Sequence, residues 1–125
     1  NGPPNGGKSK TIEIIHNLLG EFSIQLANNA LSCFDDHPKS ASPEMLELNN
    51  RRFAFIPDLG EKTKFDIQII KQILGDSNLK FRKLHCNVIS KVKSNGHLVL
   101  ASNYYPTFNL NDSTLESKIQ IWDFS

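Results

Sequence analysis

The sequence is poor in the features that would place it in a membrane, in a secreted scaffold or on a strongly basic binding surface. Its two cysteines, Cys33 and Cys86, have neither a CxxC nor a Cys/His ligand spacing. That suits reduced structural thiols in a cytosol-like compartment better than a zinc site or a secreted disulfide framework. No apolar run approaches the ~20 residues of a membrane span and no signal-peptide pattern is present, so no membrane partner is expected. An excess of charge of one sign is missing too, since 14 Lys and Arg against 13 Asp and Glu leave a net +1. Any nucleic-acid contact must therefore be a local patch rather than a global field. Heptads, internal repeats and low-complexity segments are absent, as is any Ser/His/Asp or Cys/His nucleophile arrangement, and His16 and His37 read as ordinary surface residues.

What is present suffices for one core. A chain of 125 residues that is 38% hydrophobic can bury roughly two-thirds of its unfolded surface as a single domain. Ile12, Ile14, Ile15, Leu18 and Leu19 predict an amphipathic helix over about residues 8–19, stopped by Gly20. Phe22, Ile24 and Leu26 alternate with Ser23 and Gln25, the period of a half-buried strand. Residues 27–43 read as a polar passage with a helical turn around 30–34. Ser42-Pro43 then opens a short helix through Leu48. Phe53–Ile56 is a continuous apolar run of the kind covered on both faces, ending at Pro57-Asp58. Phe65, Ile69, Ile70, Ile73 and Leu74 have helical spacing before Gly75-Asp76. Residues 79–85 and 88–93 form a basic hairpin around Cys86-Asn87. Leu98–Ala101 is a further buried strand ending at Ser102-Asn103, and Ile119, Ile121 and Trp122 mark a last one. Strands alternating with helices predict an α/β fold.

One motif carries specific chemistry. Gly2-Pro3-Pro4-Asn5-Gly6-Gly7-Lys8-Ser9 satisfies G-x-x-x-x-G-K-[ST] and opens the first helix. Glycines let backbone N–H groups approach phosphates, Lys8 neutralises their oxygens, and Ser9 offers a hydroxyl to Mg²⁺ at a helix N-terminus that favours anions. The pattern arises by chance in well under ~1% of chains this long, so ATP or another nucleoside triphosphate is the expected ligand. Mg²⁺ also needs an acid from a neighbouring strand, and Asp58 stands at a strand end; Glu61 is a weaker candidate, more simply a solvated charge beside Lys62. Asn103 either orients the attacking water near the γ-phosphate or caps the turn after its strand. No strand precedes Gly2, although a strand normally aims such a loop, so residues 1–125 read as a fragment or processed piece.

Taken in order, Gly2–Ser9, Arg51–Asp58, the Gly75-Asp76 turn with Phe81-Arg82-Lys83-Leu84-His85, and His97–Asn103 followed by Tyr104-Tyr105-Pro106 form a series that covers nearly the whole chain. It resembles the superfamily 3 helicases of small DNA viruses, large DNA viruses and phages. The poxvirus and phage primase-helicases are the most similar, and Gly2-Pro3-Pro4-Asn5 is also similar to the papillomavirus replicative helicase. The resemblance implies a three-layer P-loop NTPase of AAA+ type with a mainly parallel central sheet and a protruding basic β-hairpin. It implies that Lys8 and Ser9 are the Walker A pair, Asp58 the Walker B acid and Asn103 the sensor, making Lys8, Asp58 and Asn103 catalytic and Ser9 and Asp58 the metal side chains. Arg82, Lys83 and His85 match the hairpin motif that tracks single-stranded DNA inside a homo-hexamer. The expected partners are thus single-stranded DNA, other copies of the chain and a fused or associated primase. The expected location is intracellular, in host cytoplasm or nucleus if viral.

Two departures from the family pattern bear on turnover. Pro57-Asp58-Leu59 supplies a single acid where the family has several or a Ser-Glu pair, and Ser117-Lys118 stands where relatives have an Arg-Arg pair. Lysine cannot imitate the bidentate geometry of an arginine finger. Two other readings therefore stand beside the helicase: a degenerate nucleotide-binding or assembly module, and a small-molecule P-loop kinase that uses no DNA. The basic residues Lys80, Arg82, Lys83, Lys91 and Lys93 are read either as a DNA surface or as a solvated sheet face.

Overall fold

A computed structural model describes residues 1–31, 47–61, 63–65, 67–74, 79–82, 89–92, 96–105 and 117–124. The elements run α1 (Lys8–Leu19), a 3₁₀ turn (Gly20–Phe22), β1 (Ser23–Gln25), β2 (Phe53–Leu59), α2 (Ile67–Leu74), β3 (Leu79–Arg82), β4 (Ile89–Val92) and β5 (His97–Ser102). β1, β2 and β5 form a parallel three-stranded sheet in the order β1-β2-β5, with β2 in the middle. β3 and β4 pair antiparallel as a separate hairpin. This is an α/β domain, as the alternation of periods predicts.

The sequence of β2 explains its central place. Phe53 and Phe55 pack with Ile12, Ile15 and Leu19 of α1 and with Val99 and Ala101 of β5 on one face. Ala54 and Ile56 pack with Ile69 and Ile73 of α2 and with Ile24, Leu26, Ala30, Leu31 and Leu48 on the other. A strand buried on both sides needs apolar residues at every position, which is why this run does not alternate. Ile56 is fully buried.

The end of β2 is irregular, and that irregularity presents its acid. Ile56 pairs with Leu100 and Leu59 with Ser102, so two residues of β2, Pro57 and Asp58, oppose the single residue Ala101. Pro57 lacks the N–H that a regular ladder would use. The extra residue is a β-bulge, which changes the parity of the side chains beyond it. Strict alternation from Ala54 and Ile56 would send Asp58 into the apolar α2 side. Instead Leu59 enters that cluster and Asp58 is exposed.

Several expectations need correction. Ile14 and Leu18 were expected on the buried face of α1 but are 61% and 83% exposed; α1 has only one sheet face to cover and uses Ile12, Ile15 and Leu19 for it. Phe22 lies in the 3₁₀ turn, exposed, and the strand after it spans three residues. Buried Ser23 breaks the expected alternation because its hydroxyl is hydrogen-bonded to His16 Nδ1 at 2.6 Å. His16 is accordingly half-buried, its ring against Phe55 at 5.2 Å, and not a free surface residue. Phe65 precedes α2 rather than belonging to it. Residues 117–124, all described, contain no strand, and Ile121 and Trp122 are exposed. Cys33, His37, Cys86 and the helix expected to open at Ser42-Pro43 lie outside the described residues, apart from Glu47 and Leu48 at its end.

Candidate functional site

Residues 2–7 form a tight loop whose backbone requires its glycines at two points. Gly2 has φ +150°, and a Cβ there would lie 2.1 Å from the Phe124 carbonyl oxygen, so both its conformation and its neighbour exclude a side chain. Gly7 has φ +86° and is the N-cap of α1, with no side-chain cap. Asn5, at φ 63°, takes the left-handed conformation that Asn tolerates among the other residues. The first intrahelical bond runs from Thr11 N–H to the Gly7 carbonyl at 3.0 Å. By helix geometry the N–H groups of Lys8, Ser9 and Lys10 then have no intrahelical acceptor. No acid stands in that first turn, so the helix end is free to attract an anion.

Lys8 joins this loop to the end of the sheet. Its Nζ donates to the Gly2 carbonyl at 2.5 Å, the Pro3 carbonyl at 2.7 Å and Asn103 Oδ1 at 2.9 Å. Three donors meet three acceptors, all of them neutral oxygens, so the ammonium is held in place without charge compensation from those partners. The turn after β5 is closed by Ser102, whose Oγ accepts from Tyr104 N–H at 3.0 Å. Asn103 directs its side-chain oxygen to Lys8 instead.

Loop, helix and sheet end enclose an open cleft of about 620 Å³ lined by Pro4 to Lys10, Glu13, Pro57, Asp58, Ser102 and Asn103. A volume of this order suits a nucleotide-sized ligand. Lys8, Ser9, Asp58 and Asn103, dispersed over the sequence, thus share one cavity. Glu61 does not line it; it faces a separate small pocket with Thr63, Phe65 and Tyr104. The cleft also contains two residues that sequence reasoning missed. Lys10 and Glu13 form an ion pair at 2.8 Å, both largely exposed, a contact worth ~0–1 kcal/mol in stability. Their i,i+3 spacing at the head of a helix rooted in the loop was the available signal.

Among the described residues there is no group of three or more His, Cys, Asp or Glu suited to a metal. Mg²⁺ in a phosphate site does not require one, because it keeps waters and takes ligand oxygens beside one or two protein groups. The Ser9 hydroxyl and the exposed Asp58 carboxylate on one cleft fit that donor set.

The basic hairpin is described in its backbone. Its register sets Lys80 opposite Lys91 and Arg82 opposite Ile89, leaving residues 83–88 as the connection. Lys83 and His85 lie outside the described residues. Lys118 donates Nζ to the carbonyl of Leu74, the last residue of α2, 3.2 Å away. No helix among the described residues is long and apolar enough to cross a membrane. No protein-family model and no curated protein matches the chain.

Proposed function

We propose that the chain is the ATP-binding core of a replicative DNA helicase motor of the superfamily 3 kind, a P-loop NTPase of AAA+ type that works on single-stranded DNA as a homo-hexamer, alone or with a primase. The observation that supports it most is the Lys8–Asn103 hydrogen bond at 2.9 Å across the cleft that Asp58 and Ser9 also line. Lys8 and Asn103, 95 residues apart in the chain, meet at the cleft that Asp58 lines, which supports a role in phosphoanhydride hydrolysis. In this reading Lys8 and the N–H groups at the head of α1 hold the phosphates, and Ser9 and Asp58 hold Mg²⁺, which would neutralise phosphate charge. Asn103 orients the attacking water. The hairpin with Lys80, Arg82, Lys83, Lys91 and His85 grips the DNA backbone, a contact independent of sequence.

The second reading, a nucleotide-binding module with little turnover, is favoured by the bond from Lys118 to its own chain's Leu74 and by the single acid at Asp58. ATP hydrolysis with and without single-stranded DNA separates the two, with Lys8→Ala as control. Stimulation by DNA that disappears in the variant is the helicase outcome. Nucleotide binding without turnover under either condition contradicts it and promotes the binding module.

A further inference from the structure

We propose that Trp122–Phe124 is a latch that positions the phosphate loop, with Asp123 and Tyr105 as its clasp; the inference rests on the nucleotide reading of the cleft. The loop opens at Asn1, whose N-terminal ammonium donates to the Trp122 carbonyl at 2.7 Å while Phe124 N–H donates to the Asn1 carbonyl at 2.7 Å. These two bonds are the pattern of one parallel bridge. The loop then rests on Phe124, whose carbonyl occupies the space a Cβ would need at Gly2, and a Cβ at Gly6 would likewise come within 3.6 Å of Phe124. Asp123 Oδ1 accepts from Tyr105 Oη at 3.0 Å and from Asn1 Nδ2 at 3.5 Å.

Tyr105 follows Asn103 by two residues, so the two walls of the cleft are tied twice. One tie is Lys8, which holds Gly2, Pro3 and Asn103 together. The other is Asp123, which holds Asn1 to Tyr105 through residues that do not line the cleft. A phosphate competes for the three donors of Lys8 and loosens the first tie. The second makes no contact with the cleft's contents and persists. Asp123 and Tyr105 are therefore positioning residues, and their loss acts on di- and triphosphates alike, whereas loss of Asn103 acts on the triphosphate alone.

The test measures the affinity of the full chain for Mg·ATP and Mg·ADP by calorimetry, with amide hydrogen exchange over residues 2–7. Asp123→Ala and the milder Tyr105→Phe are each expected to weaken both nucleotides about threefold, with faster exchange in the loop. The double variant is expected to lose no more than either single one, and Asp123→Asn, which keeps the acceptor oxygen, to restore wild-type binding. Unchanged affinity and exchange, losses that multiply, or a loss confined to ATP would each overturn the latch. Faster exchange with unaltered affinity would also overturn it. Lys8→Ala separates the two levels. If it abolishes binding while Asp123→Ala is silent, only the latch fails; if it binds nucleotide like the wild type, the nucleotide reading fails and takes the latch's function with it.

Discussion

Two stretches that both predict strands, the unbroken apolar Phe53–Ile56 and Ile119–Trp122 with its polar Gln120, have different structures. The first is the middle strand of the sheet, with β1 and β5 hydrogen-bonded to its edges and a helix on each face. The second contains no strand, and Ile121 and Trp122 are 54% and 68% exposed. Both carry strand-forming residues, and their neighbours decide the outcome. A strand needs a partner for its N–H and C=O groups, and among the described residues the chain beside 122–124 is Asn1, enough for a single bridge. The region 117–124 is instead used side chain by side chain. Lys118 caps α2, Asp123 meets Tyr105, and Phe124 underlies Gly2.

The comparison can be sharpened by substitution, beginning inside the sheet. Ile56→Ala, at a fully buried site between two layers, is expected to cost about 3 kcal/mol in denaturant unfolding; a loss below ~1 kcal/mol would show that β2 is not the centre of the core. Gly2→Ala addresses the contact between the two regions. With φ +150° and the Phe124 carbonyl at 2.1 Å from a Cβ, it is expected to destabilise by about 2 kcal/mol and to release 122–124, seen as faster amide exchange at Phe124. Lys118→Met removes a cation from the C-terminus of α2 and is expected to cost about 0.5 kcal/mol, a difference that high salt reduces. Ile121→Ser, on an exposed side chain, is expected to change stability by less than ~0.5 kcal/mol. A cost matching that of Ile56→Ala would erase the distinction between the two stretches.

Local signals made much of this legible. The G-x-x-x-x-G-K-S spacing, the helix it opens, the unbroken apolar run of β2, the strand at Leu98–Ala101 and the hairpin all follow from periods and turn residues within a few positions of one another. The rest depended on partners distant in the chain. Ile14 and Leu18 are aliphatic like the buried Ile12 and the half-buried Ile15, and the sheet face beneath α1 decides which are covered. The exposure of Asp58 depends on a bulge, readable as Pro57 inside a strand but not as a change of parity. Whether Asn103 capped a turn or reached Lys8 was undecidable from sequence, because Ser102 had to take the turn first. The bond from Lys118 to Leu74 in the same chain has no sequence signature.

In the proposed function the cleft headed by Lys8 holds the phosphates of a nucleotide. Calorimetric titration of the chain and of Lys8→Ala with Mg·ATP tests it most directly, since the lysine's charge-assisted contacts carry much of such a site's affinity. Saturable binding at one site per chain is expected, weakened about a hundredfold by the substitution, with the fold intact by circular dichroism. Equal titrations for the two proteins, or no heat from either, would contradict it.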